Sequence, residues 1–328
     1  MKSAYPFYRN LFSAGLLVGS ALAASAAIAR DAVVELPLAE RVGFWSPSEQ
    51  ESGYRAMETV FPTNVIKAGG PVRALPVAPQ EMKIDFTYEH RPYTIEDFVK
   101  TNRVAGVLVI KDGQIVAERY GLGRKPADRW TSFSIAKSVT STLVGAALRD
   151  GKIKNLDDPL TRYVPELKGG VYDGVTLRQA LEMRSGVGWN EDYNDPTSDF
   201  SRYAIHMGPA FYKRMSAQPR VAAPGTRYYY STAESNLIGA AVMNATGKSL
   251  SAYFSEKIWR PFGMEADAVW VTSPEGLETG GICFSATLRD YGRLGLFMLE
   301  GGRAAGKPVL PDGWIADATA QHSEKAFG

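Results

Sequence analysis

The stretch that decides the fold is Trp130-Thr-Ser-Phe-Ser134-Ile-Ala-Lys137-Ser-Val-Thr-Ser-Thr-Leu-Val-Gly-Ala-Ala-Leu148. Its apolar residues recur at helical spacing, which predicts a helix that begins near Ser134 and that Asp150-Gly151 ends. Residues three apart on a helix share a face, so we expect the Ser134 hydroxyl within hydrogen-bonding reach of the Lys137 amine. A serine paired with an amine can act as a covalent nucleophile without a histidine.

The surroundings of this pair make the prediction stronger than the spacing alone. A serine and a lysine three apart are a weak signal, because about one chance match is expected in a chain of this length. The apolar neighbours Phe133, Ile135, Ala136 and Val139 disfavour solvation of Lys137. Burial and the positive end of the helix dipole both disfavour an ammonium. A pKa lowered from near 10.4 towards 7 requires roughly 4 kcal/mol of differential stabilisation, which such a site can supply.

Upstream of this helix the sequence predicts a short helix and a hairpin. Residues 93–100 have the pattern of a short helix. The apolar-rich runs 104–110 and 114–120 are separated by Lys111-Asp112-Gly113, and Asp-Gly supplies the positive φ that a tight turn needs. We therefore expect two antiparallel strands ahead of the Ser134 helix.

Downstream the chain alternates between helical and irregular segments, with two strands near the end. Thr176 is a plausible cap for a helix over 176–183, which Ser185-Gly186 stops. The remaining predicted elements are helices at 233–246, 250–259 and 286–299 and strands at 268–272 and 280–284. A hairpin, a mostly helical middle and a mixed end predict a two-lobe α+β protein.

The first 29 residues have the three parts of a secretory signal. Lys2 and Arg9 precede an apolar run that ends in small residues and a cleavage-like Ala27-Ile28-Ala29. A membrane anchor is the alternative, but the apolar run is shorter than the roughly 20 residues that a transmembrane helix needs. We expect export with cleavage, hence a periplasmic or secreted protein with no stable membrane span.

Composition excludes several other classes of function. Without that segment the chain has equal numbers of basic and acidic side chains, which gives no indication of a nucleic-acid partner. Cys283 is the only cysteine, so no intrachain disulfide is possible and a buried small apolar role is the simplest reading. The three histidines are scattered without metal-ligand spacing. The sequence therefore implies no metal or organic cofactor, and it carries no signal of an oligomeric state.

Two further segments have the composition of a site. Pro224 to Ala233 leads through three tyrosines into a predicted helix; Tyr230 could relay a proton to a leaving group, or the tyrosines could simply pack. The glycine-rich segment from Met183 to Pro196 carries Trp189 and Tyr193. Loops of this kind often line pockets, although ordinary surface loops share the composition.

Together these segments resemble the serine β-lactamase and penicillin-recognising superfamily, in its class C-like branch that includes 6-aminohexanoate-dimer hydrolase and related esterases. The resemblance covers roughly residues 95–328 and rests on several motifs in order. These are Ser134-x-x-Lys137, Tyr230-Ser231-Thr232 for the branch's Y-x-N, Leu181-Glu-Met-Arg-Ser-Gly-Val-Gly-Trp189, Glu191-Asp-Tyr193-Asn-Asp-Pro, and Gly280-Gly-Ile-Cys-Phe-Ser-Ala-Thr-Leu-Arg-Asp290.

The resemblance implies a β-lactamase-like α+β fold, with an antiparallel sheet flanked by helices and a mostly helical lobe at about 152–265. This domain would span 93–328, after the signal at 1–29 and an irregular N-terminal extension at 30–92. The implied catalytic residues are Ser134, Lys137 and Tyr230. Tyr193 and Thr232 are the implied substrate-binding residues.

Two departures from the family pattern bear on function. Thr232 replaces the asparagine of Y-x-N and offers no amide. The family's third motif, a K-T-G or H-x-G strand that supplies one oxyanion donor and pairs in the main sheet, does not occur near the C-terminus. Losing one such donor typically costs roughly 10²- to 10³-fold in rate. We therefore expect that this chain is a truncated form of an active enzyme, without its C-terminal strands.

The function that the resemblance implies is hydrolysis of a small-molecule amide or ester through an acyl-enzyme, as in the 6-aminohexanoate-oligomer hydrolases. A carboxylesterase or a β-lactamase of the same fold is the alternative within enzymes. A non-catalytic ligand-binding or cell-wall-binding relative is the alternative of another class. The choice among these substrates depends on the shape of the pocket in the folded protein.

Overall fold

The central feature of the fold is a four-stranded antiparallel sheet. The computed structural model describes residues 39–322, so the expected signal segment at 1–29 lies outside the described residues. The strands are β1 Thr63–Ile66, β2 Asp85–Tyr88, β3 Arg91–Thr94, β4 Gly106–Lys111, β5 Gln114–Tyr120, β6 Arg129–Thr131, β7 Ala268–Val271, β8 Phe284–Thr287, β9 Arg303–Ala304 and β10 Lys307–Pro308. The strand order in the central sheet is β1-β7-β8-β6.

Helices pack on the sheet and form all the regular secondary structure between β6 and β7. They are α1 Pro47–Gly53, α2 Met57–Val60, α3 Ile95–Thr101, α4 Ile135–Arg149, α5 Leu160–Tyr163, α6 Leu177–Leu181, α7 Asp199–Tyr203, α8 Pro209–Ser216, α9 Thr232–Thr246, α10 Leu250–Phe254, α11 Leu288–Leu299 and α12 Trp314–Ala318. Short 3₁₀ turns at Ala39–Phe44 and Pro165–Leu167 and a π-helical turn at Ser255–Trp259 complete the list. No helix within 39–322 has the length and apolar character needed to span a bilayer.

Helix α4 lies in the middle of the core and packs against α9. Leu143, Val144 and Ala146 on it are completely buried. A side chain at Gly145 would place its Cβ 2.6 Å from the indole of Trp314, so α12 can approach α4 only at a glycine. The expected helix is confirmed, and it begins directly after Ser134.

The expected hairpin is also confirmed. Strands β4 and β5 pair antiparallel, and both Asp112 and Gly113 have positive φ in the turn between them. The hairpin packs on α11, where a Cβ on Gly292 would lie 2.6 Å from the Leu108 side chain. Among residues 39–322 these two strands form a separate two-stranded sheet.

The strand predicted at 280–284 is wrong in position. Residues 280–283 form an irregular segment, and β8 runs over Phe284–Thr287 instead. Gly280 lies against the backbone of α9, and Cys283 has φ of +60°, which is incompatible with an extended strand. The helix predicted at 93–100 begins later, at Ile95, because Thr94 caps it from the end of β3.

The segment that precedes the hairpin is packed into the same body. Strand β1 pairs with β7 and so extends the central sheet. Trp45, Met57 and Phe61 are buried in a second apolar cluster with residues of β7 and the segment before β8. The backbone carbonyl of Tyr54 accepts a hydrogen bond of 3.2 Å from the N–H of Thr131, three residues before Ser134. This segment therefore supports the start of α4.

Candidate active site

Ser134 lies where β6 turns into α4, and the turn is strained. The preceding residue, Phe133, has φ of +44°, an unusual conformation for a bulky side chain. Its carbonyl accepts a 3.3 Å hydrogen bond from the Cys283 N–H, and its ring packs edge-on to Tyr54 at 4.9 Å. Such strain persists only where surrounding contacts impose it, and it occurs often at functional sites. The turn presents the Ser134 side chain at the N-terminal end of the helix.

Lys137 lies one turn along α4, and three oxygen atoms surround its amine. The distances from Nζ are 3.0 Å to Ser134 Oγ, 3.0 Å to Thr232 Oγ1 and 2.7 Å to the carbonyl oxygen of Gly281. An ammonium would donate to all three oxygens. A neutral amine has two N–H donors and one lone pair, so it can donate to two of them and accept from the third.

Burial sets the charge state of this amine. It lowers the pKa of Lys137 to about 8, while the negative charge of Glu191 acts in the opposite direction. The expectation of a lowered pKa is thus confirmed in direction. With a pKa near 8, about one tenth of the molecules carry a neutral Lys137 at pH 7.

Tyr230 lies beside the amine. Its ring centroid is 5.1 Å from Lys137 Nζ. Burial raises the pKa of Tyr230, whereas hydrogen bonding with Ser134 and with Tyr193 lowers it. The phenol therefore faces both the candidate nucleophile and the side chain predicted to contact substrate.

Tyr193 and Thr232 converge on one acidic side chain. Tyr193 is about half exposed, and its hydroxyl donates to Glu191 Oε1 at 3.2 Å. Thr232 is completely buried at the first position of α9, where its hydroxyl accepts from Lys137 and also hydrogen-bonds Glu191. The structure thus brings together all five residues singled out in the sequence: Ser134, Lys137, Tyr193, Tyr230 and Thr232.

Two parts of this arrangement were missed by sequence reasoning. Glu191 lies in the loop motif quoted above, in which only Tyr193 is predicted to be a site residue. The Gly281 carbonyl that accepts from Lys137 was missed because a backbone oxygen leaves no residue signature. The adjacent glycines at 280 and 281 were the available signal.

These glycines allow the chain to pass directly against α9. A Cβ on Gly281 would lie 2.7 Å from the carbonyl oxygen of Thr232. Asn236 holds the Gly281 N–H at 2.8 Å, and Thr140 donates to the Gly280 carbonyl at 2.7 Å. The Gly281 carbonyl is therefore fixed towards Lys137 by contacts with both α4 and α9.

No group of three or more His, Cys, Asp or Glu side chains within residues 39–322 is arranged to hold a metal ion. The polar side chains of the site are instead two hydroxyls, an amine, two phenols and a carboxylate. This set can deprotonate an alcohol and move a proton to a leaving group.

Comparison with known proteins finds a family model, sequence relatives and solved structures that are similar to this chain. The Beta-lactamase family model matches residues 94–324. The chain is 32% identical over 230 residues to 6-aminohexanoate-dimer hydrolase of Paenarthrobacter ureafaciens, covering 67% of this chain and 58% of that protein. It is 30% identical over 201 residues to esterase EstB of Burkholderia gladioli, covering 54% of this chain and 50% of that protein.

A solved structure of a candidate 6-aminohexanoate-dimer hydrolase from Bacillus anthracis shares the fold, with a TM-score of 0.75 and 24% identity over 83% of this chain and 74% of that chain. The chain spans between one half and three fifths of the length of the two curated relatives described above. Its helices and antiparallel sheet are those of the β-lactamase-like fold. The family model covers well over half of the sequence, and the chain belongs to the Beta-lactamase family.

Proposed function

We propose that the protein is a serine hydrolase that cleaves an amide or ester bond through an acyl-enzyme on Ser134. The observation that carries the proposal is the 3.0 Å contact between Ser134 Oγ and the amine of Lys137, whose pKa burial lowers to about 8. The family supports an enzyme of this class, since its named members include an amide hydrolase, an esterase and β-lactamases.

In the acylation step, neutral Lys137 takes the proton of Ser134 as Oγ bonds to the substrate carbonyl carbon. The carbonyl electron pair moves to oxygen and forms a tetrahedral intermediate. When that intermediate collapses, the bond to the leaving amine or alkoxide breaks, and the leaving group takes a proton from Tyr230. The phenolate then regains a proton that the Lys137 ammonium releases; a water molecule relays it, because the two groups meet at the ring face, with Nζ 5.1 Å from the ring centroid.

In the deacylation step, water attacks the acyl carbon and gives its proton to the same set of bases. The Ser134 oxygen leaves with a proton, and the enzyme returns to its starting state. Tyr193 would hydrogen-bond the leaving side of the substrate, because it is about half exposed and adjoins the phenol that protonates that side. Thr232 is buried behind Lys137, so its contribution to substrate binding would pass through the amine.

Substrates of three kinds test this proposal on one preparation: 6-aminohexanoate dimer, short-chain p-nitrophenyl esters and nitrocefin. We expect turnover of at least one of them, together with labelling of Ser134 by a fluorophosphonate. Ser134→Ala should abolish both. A folded protein that forms no serine adduct and turns over none of these substrates would instead support a non-catalytic ligand-binding relative.

We also propose that the protein is exported. The support is the charged, apolar and small-residue pattern of the first 29 residues. N-terminal sequencing of the protein recovered from a periplasmic or culture fraction should begin at or near Arg30. Recovery of the uncleaved chain in the cytoplasm would contradict export.

A further inference from the structure

Glu191 is the acidic side chain next to the amine, and donors converge on it. Its Oε2 accepts from the Thr232 N–H at 2.9 Å and from the indole N–H of Trp189, and its Oε1 accepts from Tyr193 at 3.2 Å and from the Thr232 hydroxyl. The Thr232 N–H belongs to the first residue of α9, a position where a carboxylate is favoured by the helix dipole. Glu191 takes no part in the acylation and deacylation steps proposed above.

The contacts of Thr232 fix the direction of the hydrogen bonds between Glu191 and Lys137. A carboxylate can only accept, so the single hydroxyl proton of Thr232 must point to Glu191. The lone pairs of that hydroxyl are then left to accept, and Lys137 must donate to it over 3.0 Å. The Gly281 carbonyl also can only accept, and it takes a second N–H of Lys137 over 2.7 Å.

These two hydrogen bonds determine where the lone pair of neutral Lys137 points. When Lys137 is neutral, both of its N–H groups are committed to Thr232 and Gly281. Its lone pair therefore faces Ser134 Oγ, at 3.0 Å. A threonine whose proton was free to rotate could donate to the amine instead and occupy the lone pair that the serine needs.

We infer that Glu191 is a positioning residue, which acts through the Thr232 hydroxyl to direct the lone pair of Lys137 at Ser134. The inference rests on the proposed function, because it assigns Lys137 as the base. It adds a carboxylate that the catalytic motifs do not contain. It also explains why threonine can replace the family's asparagine at position 232. The carboxylate of Glu191 fixes the orientation of the threonine hydroxyl, which has only one proton to donate.

A pH measurement can test this because Glu191 also acts on the amine by charge. The titratable groups that face Lys137 are Glu191 from the loop after α6, Cys283 from the segment before β8 and Tyr230 from the segment before α9. Tyr193 and Tyr228 adjoin Glu191. Of these, Glu191 is the group whose negative charge favours the ammonium at neutral pH.

Glu191→Gln tests both the charge of Glu191 and its hold on the Thr232 hydroxyl. It keeps the shape of the side chain, removes its negative charge and adds an N–H donor. Its matched control is Asp192→Asn, because Asp192 is the next residue, is exposed and contacts the backbone of Asn194 rather than Thr232. The first readout needs no turnover: the ¹³Cε shift of Lys137, assigned with Lys137→Met, is followed against pH by NMR. We expect the pKa of Lys137 to fall by about one pH unit in E191Q and to stay in place in D192N.

The second readout is the rate at which a fluorophosphonate labels Ser134. At pH 7, E191Q has more neutral Lys137 than the wild type. At high pH the amine is neutral in both proteins, and there we expect E191Q to be labelled roughly 10-fold more slowly than the wild type. Thr232→Val breaks the same chain of hydrogen bonds and should slow labelling similarly, whereas Thr232→Ser should restore it. In a protein that already carries Thr232→Val, adding Glu191→Gln should slow labelling little further, because the hydrogen bonds from Glu191 through residue 232 to Lys137 are already absent.

Each outcome decides one question. Independent, multiplicative losses in E191Q and T232V, or a Lys137 pKa that does not move in E191Q, would overturn the role of Glu191. Labelling of Ser134 in the wild type together with either result would leave the proposed function intact. A Lys137 pKa that falls in E191Q without any labelling of Ser134 would support the link between the two residues and refute the proposed hydrolase.

Discussion

At the scale of the residue, the site depends on one amine that is both desolvated and fully coordinated. Lys137 has three oxygen neighbours between 2.7 and 3.0 Å, so it stays fixed in either protonation state. The Ser134–Lys137 contact could be predicted from sequence, because spacing along one helix decides it. The contact between Glu191 and Thr232 could not, since it joins positions 41 residues apart and depends on how a loop folds over α9.

The lowered pKa of Lys137 predicts the pH dependence of the reaction. If the neutral amine is the base, kcat/KM should rise through an apparent pKa near 8, because burial shifts the amine down from 10.5. Lys137→Arg keeps the charge but cannot lose its proton near neutral pH, so we expect a loss of at least about 100-fold. Initial rates between pH 5.5 and 10 would check both; a profile that is flat across pH 8 would contradict the assignment of the base.

At the scale of the element, the start of α4 is positioned by two neighbouring segments. The run of glycines before β8 gives Lys137 a backbone acceptor, and the segment around Tyr54 holds the strained turn before Ser134. The sequence predicted α4 and the β4–β5 hairpin well because local periodicity and turn chemistry specify them. It misplaced the strand at 280–284, because the close approach of Gly280 to α9 is a tertiary contact that overrides the local β pattern.

The Gly281 position gives a prediction at this scale. Gly281→Ala would place a Cβ 2.7 Å from the Thr232 carbonyl and 3.0 Å from Asn236 Oδ1, so the segment must move and its carbonyl must leave Lys137. We expect kcat/KM to fall by about 10-fold or more, with a loss of about 1–3 kcal/mol in the free energy of unfolding.

Gly295→Ala is the matched control for this variant. Gly295 lies on the exposed side of α11, and nothing is within 4 Å of an added Cβ. Alanine in a helix should leave activity unchanged and stabilise the protein by up to about 1 kcal/mol. Steady-state kinetics and urea denaturation of both variants would decide; an active, undisturbed G281A would show that the carbonyl is not needed.

At the scale of the whole molecule, buried polar groups join segments that are distant in sequence. Glu234 on α9 is completely enclosed and accepts from Ser185, so it ties the loop after α6 to the helix that carries Thr232. Arg293 donates to the carbonyl of Arg73 at 2.9 Å and to the buried Asp290 at 2.8 Å, so it ties the N-terminal part to α11. Such long-range contacts have no local signature, which is why the sequence could not assign a role to residues 30–92.

Glu234 predicts how stability depends on pH. Burial raises the pKa of Glu234 from 4.5 to about 8, so the folded protein retains a proton that the unfolded chain has released between these values. The free energy of unfolding should therefore fall as pH rises from 4.5 to 8, with a contribution of at most about 1.4 kcal/mol per pH unit. Glu234→Gln should flatten this dependence, and the exposed control Glu89→Gln should retain it. Urea titrations at pH 5.5, 6.5 and 7.5 measure the slopes; equal slopes in all three proteins would contradict the assignment.

Replacing Arg293 should lower the stability of the fold, and this can be measured without an activity assay. Arg293→Met removes the charge that faces the buried Asp290 and the donor to the Arg73 carbonyl. An uncompensated buried carboxylate typically costs about 3–5 kcal/mol, and the two backbone N–H donors to Asp290 should keep the cost near the lower figure. Thermal unfolding would show a large fall in Tm for this variant and almost none for the exposed Arg91→Met. Similar Tm values for the two variants would contradict a stabilising role for the contacts of Arg293 with Asp290 and the Arg73 carbonyl.

The most direct test of the central claim is to find which atom becomes acylated and how its reactivity depends on pH. A fluorophosphonate is reacted with the protein between pH 6 and 10, and the adduct is located by peptide mass spectrometry. The account predicts one adduct, on Ser134, whose rate of formation rises through pH 8 and which is absent in Lys137→Met. An adduct on another residue, or equal labelling of Ser134 in the wild type and in K137M, would contradict it.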